Sequence, residues 1–448
     1  MADDSDSTEL LNDLVVRAMN AGADAADAVD IKSIALSHAQ RLGEVEKVER
    51  AESRDFGLRV FLGQKQAIAS STDPSEAARA ELVERAVSMA KAVPDDENCG
   101  LADPAQILTS NTPNLDTADP EEPTMAVLAE RASACEAAAR GVLGITNSEG
   151  AEASWSSSDI SIAASNGFSG AYRSTGHGFG VAVLAGEGTS MERDYESTSA
   201  TYSADLDDPN YVGQTAGERA VARLNPRKVE TQQVPVVFAP RVSNGLVGHL
   251  AGAVNGSAIA RGTSFLKDSM GARIFPKGFH IIDDPHRRRG HRSKPFDAEG
   301  LPNKAIHLVE DGILENWVLD LSTARKLGLD SNGRASRGTS SPPSPSTTNL
   351  YLTPGKISPA DLIVDITEGF YVTELMGFGV NNVTGDYSRG ATGFWIENGT
   401  IAYPVSEVTI ASNLKDMFMS MTVADDLRFK YGTDAPTIRV EGMTVAGN

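Results

Sequence analysis

The stretch GFWIENGTIAYPV, Gly393 to Val405, decides how the second half of the chain folds. Two apolar runs flank Asn398–Gly399, and Asn-Gly between such runs is a strong signal for a tight β-hairpin. The same pattern, with Asp-Gly at the turn, occurs in IHLVEDGILENWVLD, Ile306 to Asp320. Because short strands and glycine turns continue around both, we predict a β-rich domain that is antiparallel and barrel-like.

The first 230 residues mix helix-like and strand-like patterns. Apolar residues recur on one helical face over 7–22, and Asp73, Pro74 and Glu76 resemble the start of a capped helix, with Asp73 as the cap. Alternating stretches on either side of Gly63–Gln64 predict a hairpin. We therefore expect an N-terminal α/β region, with helices on an antiparallel sheet.

Changes in composition suggest where the chain divides. Proline, aspartate and asparagine become frequent, without a hydrophobic period, after the second predicted helix, which is typical of a linker. The expected divisions are an N-terminal α/β domain, a linker, a central α/β region and a C-terminal β-rich domain, over residues 7–98, 99–123, 124–229 and 234–448. The predicted fold class is α+β. Residues 331–349, SNGRASRGTSSPPSPSTTN, also lack a hydrophobic period and predict a mobile loop.

The composition excludes several classes of function. The 448 residues carry a formal net charge of −21, which opposes general affinity for nucleic acid or for an anionic membrane. No apolar run approaches the roughly 18 residues needed to span a bilayer, and the acidic N-terminus does not resemble a secretory signal. Cys99 and Cys135 are too few for a disulfide framework, so we expect a cytoplasmic protein.

A helical stretch with a single histidine is the first candidate site. VSNGLVGHLAGAVNGSAIARG, Val242 to Gly262, contains His249. A zinc helix needs two imidazoles about one turn apart, with a carboxylate to activate water. Gly245 and Ala253 occupy the positions one turn away from His249. A packing or hydrogen-bonding role is therefore favoured over metal binding.

The second candidate is the charged segment DDPHRRRGHRSKPFDAEG, Asp283 to Gly300. Its possible metal ligands by residue type are Asp283, Asp284, His286, His291, Asp297 and Glu299. Five cations in the same segment oppose a bound cation; they are Arg287, Arg288, Arg289, Arg292 and Lys294. A solvated loop is the default interpretation. The alternatives are a metal site built on its two histidines, or a group of cations that holds an acidic partner or a peptide C-terminus.

The third candidate lies directly before the predicted hairpin at Asn398–Gly399. Asp386, Ser388, Arg389 and Gly390 gather polar groups and a glycine directly ahead of an apolar strand. They fit either a tight turn that feeds the hairpin or one wall of a peptide cleft. No nucleophile elbow and no phosphate-binding loop occurs in the sequence. We accordingly assign no catalytic residue.

Several longer motifs carry a family likeness. VPVVFAP, ARGTSF, PFDAEG, DLSTARKLGL, TNLYL, TGDYSRGATGFWIENGTIAYPV and TIASNL resemble the TldD/PmbA family, and more closely its PmbA branch, also called TldE. The likeness is specific from Val234 onward and looser before it. Members of this family are cytoplasmic bacterial proteins connected with the maturation of peptide antibiotics, antitoxin turnover and modulation of DNA gyrase. The TldD branch carries zinc on an HExxxH helix, with a late cysteine as a further ligand.

The sequence departs from the TldD pattern wherever that pattern needs the metal. We align this sequence with the TldD pattern at residues 262–264. The two histidines of that pattern then fall at Val247 and Gly252, and its glutamate falls at Gly248. No cysteine occurs in the second half of the chain. The resemblance therefore implies a vestigial zinc helix around His249, without a catalytic residue, a metal or another cofactor in this chain.

The resemblance also implies a function. We expect a PmbA/TldE-like subunit of a heterodimeric cytoplasmic metallopeptidase that acts on unfolded peptides, with zinc in its TldD-like partner. Such a subunit belongs to a proteolytic family yet is non-catalytic alone, and neither nucleic acid nor membrane is an expected partner. Peptides would bind in extended form at a sheet edge. The alternatives are an autonomous metallopeptidase using His286 and His291, or a non-proteolytic regulator of the gyrase-modulator type.

Overall fold

The computed structural model describes residues 4–109 and 113–447. The first half of the chain forms four helices and six strands within the described ranges. They are α1 (Asp4–Asn20), β1 (Ala25–Arg41), β2 (Glu44–Leu62), β3 (Lys65–Ser71), α2 (Glu76–Ala92), α3 (Met125–Arg140), β4 (Ile145–Ala164), β5 (Ser169–Ala185), β6 (Glu192–Ala200) and α4 (Pro209–Ala222). None of these helices, nor any later one in the described ranges, is long and apolar enough to cross a membrane.

The six strands form one antiparallel sheet in the order β3-β2-β1-β4-β5-β6. Strand β1 pairs with β2 on one side and with β4 on the other. Strands from residues 7–98 and 124–229 are therefore neighbours in a single sheet. The segment between α2 and α3 contains no helix or strand where it is described, and it buries Leu115 and Asp119.

Helices cover one face of this sheet, and the second half of the chain covers part of the other. Phe56 of β2 packs in a cluster with α1 and α2, while Trp155 of β4 packs with α3 and α4. On the opposite face, Val29 and Ile162 contact Phe296. The α+β class and the helices on an antiparallel sheet are confirmed.

The start of α2 differs from the prediction. The helix begins at Glu76, and its cap is Ser75, whose hydroxyl accepts a hydrogen bond from the N–H of Ala78. Asp73, the predicted cap, instead accepts from the N–H of Ser75. Glu76 does not complete a capping box, because its carboxylate binds the guanidinium of Arg17 on α1.

The second half contains five helices and thirteen strands in the part of the chain that the structure describes. They are β7 (Gln232–Phe238), α5 (Pro240–Ala253), α6 (Gly256–Ala260), β8 (Ile281–Asp284), β9 (Ile306–Glu310), β10 (Ile313–Leu314), α7 (Leu321–Leu327), β11 (Ala335–Ser336), β12 (Ser344–Pro345), β13 (Asn349–Leu352), α8 (Pro359–Ile363), β14 (Glu368–Met376), β15 (Asp386–Glu397), β16 (Thr400–Asn413), α9 (Leu414–Met419), β17 (Met421–Val423), β18 (Thr433–Asp434) and β19 (Ile438–Ala446).

Five of these strands close into a barrel. The sheet order is β16-β15-β14-β7-β19-β17, and a further pairing between β16 and β19 closes the first five strands. The predicted barrel is thus confirmed, but it is mixed, because β7 and β14 are parallel. A long connection separates these two strands in the sequence, which is what parallel pairing requires. A second sheet, β10-β9-β8-β13-β18, lies beside the barrel.

Both predicted hairpins of this half are present. The β15–β16 turn has Asn398 and Gly399 at φ 48° and 77°, and the β9–β10 turn has Asp311 and Gly312 at φ 46° and 80°. Positive φ at both central residues is the requirement of the tight hairpin turn that matches the twist of strands. Asn, Asp and Gly tolerate this conformation better than other residues do.

The prediction of a mobile loop over residues 331–349 is wrong. Strands β11 and β12 pair within it, and Arg334 and Thr348 are fully buried. The Arg334 guanidinium forms an ion pair with buried Asp283. Arg337 reaches the first sheet, where it pairs with Asp27 at 2.6 Å. The polar composition looked like that of a solvated loop, but these charges are paired inside the protein.

Candidate functional site

Helix α5 follows β7 directly and lies where the resemblance places the zinc helix. Pro240 suits its first turn. Leu246, Val247 and Leu250 are buried in the main core of the second half. The three glycines of the helix, Gly245, Gly248 and Gly252, are exposed, and a Cβ built on any of them would have no atom within 4 Å. The helix therefore has one packed apolar face and one solvent-exposed face formed by glycines.

His249 lies between these two faces. Its ring makes an edge-on contact with the ring of Tyr387, with centroids 5.8 Å apart. Burial lowers the pKa of His249, and the Arg389 guanidinium lowers it further, so the imidazole is neutral near pH 7. The Tyr387 hydroxyl is buried and has no hydrogen-bond partner among the described residues; burial raises its pKa.

The residues around His249 do not fit a zinc ion. Val247, Gly248 and Gly252 carry no ligating atom in their side chains, and Arg389, the charged group that acts on His249, is a cation. Zinc sites in proteins use thiolate, imidazole or carboxylate ligands. Within residues 4–109 and 113–447, no three such side chains are arranged to hold a metal.

The candidate cleft residues Asp386, Ser388, Arg389 and Gly390 lie together at the start of β15. Asp386 accepts hydrogen bonds from Thr384 at 2.6 Å and from Asn413 at 3.1 Å, and these bonds lower its pKa. Arg389 Nε donates to the carbonyl of Met376 at 3.1 Å.

This part of β15 offers no free edge. One edge is paired with β16 throughout; the other bonds to Gly379 and Asn381 and, at Gly390, to β14. A peptide could therefore meet the stretch through side chains and not by adding a strand. That Asp386, Ser388, Arg389 and Gly390 contact a peptide stays a prediction.

The structure separates the possible metal ligands of the charged segment. Asp283 is committed to Arg334, and Nε2 of His286 lies 2.6 Å from Oδ1 of Asn303. The Asp297 carboxylate accepts from the N–H groups of Glu299, Leu301 and Ala335 at 2.9, 2.9 and 3.2 Å. His291 is exposed at the surface. Asp283, His286 and Asp297 therefore each bind a different partner.

Glu299 has a more unusual environment. It is buried beside Asp297, and its carboxylate accepts from the N–H of Leu321 at 2.9 Å, at the beginning of α7. Burial, followed by the charge of Asp297, raises the pKa of Glu299 to about 8. It borders a cavity of about 210 Å³ that Arg59 and Cys99 also line.

Sequence reasoning missed a larger cleft between the two halves of the chain. Its volume is about 690 Å³. Its walls come from β6, α4, the junction of β7 with α5, strands β14 to β16, and the segment 426–435. One sequence feature could have indicated this cleft. Acidic residues occupy alternate positions in ERDYESTSA, Glu192 to Ala200, and such an alternation is unusual in a β-strand.

Ion pairs across this cleft join the two halves. Asp194 of β6 binds Arg241 of α5 through two hydrogen bonds of 2.6 and 3.0 Å. Glu196 binds Lys430 at 2.7 Å. Beside the cleft, Arg223, directly after α4, binds Glu374 of β14 at 2.6 Å. Burial raises the pKa of the Asp194 and Glu196 carboxyls, but their cationic partners outweigh it, and the net pKa of each is lowered.

Three sequence profiles match almost the whole chain. They describe domain 1, the central domain and the C-terminal domain of PmbA/TldA metallopeptidases, and they match residues 32–90, 118–224 and 231–447. The chain is 37% identical to metalloprotease PmbA of Escherichia coli O157:H7 over 446 residues, which cover 98% of this chain and 96% of the relative.

Solved structures share the fold along its full length. A proposed modulator of DNA gyrase from Bacteroides thetaiotaomicron is 25% identical, covers both chains completely and superposes with a TM-score of 0.92. TldE from Thermococcus kodakarensis is 20% identical, with a TM-score of 0.87 over 97% of this chain and 99% of its own. Sequence and fold agree over the whole length, and the chain therefore belongs to the PmbA/TldD family, on its PmbA (TldE) branch.

Proposed function

We propose that this chain is the non-catalytic subunit of a two-chain metallopeptidase that acts on unfolded peptides. The observation that carries the proposal is the state of α5. The helix has a packed face, and the resemblance aligns its Val247, Gly248 and Gly252 with the histidines and glutamate of the zinc-bearing branch. Hydrolysis of a peptide bond needs a way to activate water or a nucleophile. We recognise none among the described residues, so the partner would supply the zinc.

The partner we propose is a TldD-like chain of the same family. Most soluble oligomers are symmetric, and two related chains can form a pseudo-symmetric pair in which only one keeps the chemistry. A helix that retains its shape without its ligands is what such a history would leave. The exposed face at Gly245, Gly248 and Gly252 is consistent with close approach of another backbone.

The large cleft is our candidate for the peptide path within this subunit. Its wall includes partly exposed aromatic side chains, Tyr211, Phe429 and Tyr431, which suit peptides of varied sequence. The edge of β6 is a less suitable place for an added strand. Asp194 and Glu196 accept hydrogen bonds from the N–H groups of Tyr195 and Ser197, so those backbone donors are already used.

A cytoplasmic location belongs to the same proposal. Cys99 and Cys135 are both free, and Cys135 is buried in α3. Unpaired cysteines of this kind suit a reducing compartment. Fractionation of the native host, followed by detection of the chain in each fraction, tests this location; recovery outside the cytoplasm would contradict it.

The experiment compares the chain alone with the chain mixed with a zinc-loaded TldD-type partner. An unstructured peptide serves as substrate, and zinc is measured in each preparation by elemental analysis. We expect no cleavage and no stoichiometric zinc for the chain alone, and cleavage by the mixture. Cleavage by the chain alone that survives a chelator would contradict the proposal. So would one tightly held zinc per chain, which would favour the metallopeptidase alternative built on His286 and His291.

A further inference from the structure

Arg287 differs from the four other cations of its segment. Arg288 and Arg289 both bind Asp116, at 3.2 and 2.8 Å. Arg292 contacts the hydroxyl of Thr433 at 3.4 Å, and Lys294 donates to the carbonyl of Ala335 at 3.2 Å. The side chain of Arg287 makes no ion pair or hydrogen bond with any residue that the structure describes.

The Arg287 guanidinium is held in place by an aromatic ring instead. Its central carbon lies 3.0 Å from the centroid of Phe429. The side chain is half-buried, and burial lowers the pKa of the guanidinium, which nevertheless stays charged at neutral pH. A partly desolvated cation with unused donors is costly unless an anion completes it. Stacking on Phe429 leaves the edge of the guanidinium, with its N–H groups, available to that anion.

Arg287 borders a pocket of about 270 Å³. The backbone around Gly290 and Gly432 forms part of its wall, and the exposed His291 stands at its side. The pocket shares Ser199, Asp205, Phe429 and Asp434 with the large cleft, so the two spaces adjoin. An anion bound at Arg287 would therefore lie at one end of the cleft between the halves.

The charges around the pocket indicate which anion it suits. Asp205 and Asp434 line it as well, but both are engaged: Asp205 binds Arg289 at 3.1 Å, and Asp434 accepts from the N–H groups of Lys430 and Tyr431, at 2.8 Å each. Arg288 and Arg289 line the pocket too, but Asp116 pairs with both, and the negative charge of Asp434 acts on Arg287 itself. This near balance of charge suits a single carboxylate better than a phosphate dianion or a nucleic acid. One planar guanidinium matches one carboxylate, which can accept two of its N–H groups at once.

We propose that this pocket binds a carboxylate and that, in the assembled peptidase, it holds the C-terminal carboxylate of the peptide. The second part rests on the proposed function; the first does not. A C-terminal anchor at Arg287 would fix the direction of an extended peptide in the cleft while leaving its sequence free. The same chemistry is available from an acidic side chain, so the test must separate the two sources.

The test measures binding of fluorescently labelled, unstructured decapeptides to the isolated chain by anisotropy. The first peptide contains no Asp or Glu and ends in a free carboxylate. The second is the same peptide as a C-terminal amide, and the third is the amide with one internal Glu. We expect the free acid to bind about ten- to a hundredfold more tightly than either amide, which is the usual effect of a charged hydrogen-bonded pair.

Variants assign the effect to Arg287. Arg287→Gln should bind all three peptides with the same weak affinity, and Arg287→Lys should restore part of the preference for the free acid. Arg292→Gln is the matched control, because it removes a cation of the same segment that does not line the pocket; it should keep the full preference. Thermal melting confirms that each variant is folded.

Three results would overturn the inference. Equal binding of acid and amide, or a preference that survives Arg287→Gln, would remove the carboxylate site. Arg287-dependent binding of the Glu-containing amide, as tight as that of the free acid, would overturn its assignment to the peptide C-terminus. The proposed function fails separately, since it depends on cleavage by the mixture and not on binding by this chain.

Discussion

Glu299 is a carboxyl group that the fold keeps protonated, and this has a consequence for stability. Burial and the neighbouring Asp297 raise its pKa from 4.5 to about 8. Below pH 4.5 the carboxyl is protonated in both the folded and the unfolded chain, so the contribution of Glu299 to stability is then fully present. Between pH 4.5 and about 8 the unfolded chain releases the proton and the folded chain retains it. Stability is therefore lost as the pH rises through this window.

Glu299→Gln should remove that loss, since the amide does not titrate and can still accept from the N–H of Leu321. The free energy of unfolding of the variant, minus that of the native chain, should increase from pH 5 to pH 8.5. The increase should be about 1.4 kcal/mol for each unit of the pKa shift. Urea unfolding at both pH values measures it, with the exposed Glu315→Gln as the control for losing a carboxylate. Parallel pH profiles of the native chain and Glu299→Gln would contradict the assignment.

Arg389 tests the predicted peptide wall. It is half-buried, donates to the carbonyl of Met376, and lies close enough to His249 to lower the pKa of that imidazole. If its remaining N–H groups meet a peptide, Arg389→Ala should reduce cleavage by the assembled complex about ten- to a hundredfold. Steady-state kinetics of the mixture measures this, and a melting curve checks the fold. Unchanged turnover with unchanged stability would leave Arg389 as part of a plain hairpin.

Some residues could be interpreted from the sequence and others could not. The sequence disfavours His249 as a metal ligand, because no second imidazole stands one turn away, and this stays a prediction. Arg334 was placed in a mobile loop, although it is fully buried on Asp283. Sequence patterns near Arg334 are polar, and its partner lies 51 positions away. A burial that depends on such a distant partner leaves no local signal.

At the scale of elements, α5 and α4 use glycine for opposite reasons. The glycines of α5 face open space, whereas a Cβ on Gly213 of α4 would lie 2.1 Å from the carbonyl oxygen of Cys135 on α3. Gly213 thus allows two helices to approach closely. A Cβ on Gly248 would meet no atom of the described residues within 4 Å. A glycine inside a helix costs about 0.5–1 kcal/mol relative to alanine.

Gly248→Ala should therefore stabilise the isolated chain, by about 0.5–1 kcal/mol. Gly213→Ala is the matched comparison: the same change in a helix, but into occupied space. It should destabilise the chain, since α3 and α4 must separate to admit the methyl group. Thermal or urea unfolding of both variants distinguishes the two cases. A loss of stability in Gly248→Ala would mean that its outer face is covered within this chain.

Local patterns predicted elements better than their arrangement. The hairpins at Asn398–Gly399 and Asp311–Gly312 follow from turn residues that tolerate positive φ. The parallel pairing of β7 with β14 does not follow from any local pattern. The two strands are distant in sequence, and the sequence of neither strand specifies which strand lies beside it. The same limit applies to β1 and β4, which join the first and central regions in one sheet.

At the scale of the whole molecule, ion pairs from β6 connect the two halves of the chain. Asp194 reaches Arg241, and Glu196 reaches Lys430, each across the large cleft. Arg241 and Lys430 both lie far from β6 in the sequence, so the cleft could not be predicted from local motifs. Composition predicted only that it would belong to an acidic protein without general affinity for nucleic acid.

The central claim is that this chain completes a peptidase whose zinc lies in another chain. The direct measurement is a titration at fixed concentration of a zinc-loaded TldD-type partner, with increasing amounts of this chain and an unstructured peptide as substrate. The account predicts that cleavage rises with each addition and reaches a plateau at one equivalent. Full cleavage by the partner alone, unchanged across the titration, would contradict it.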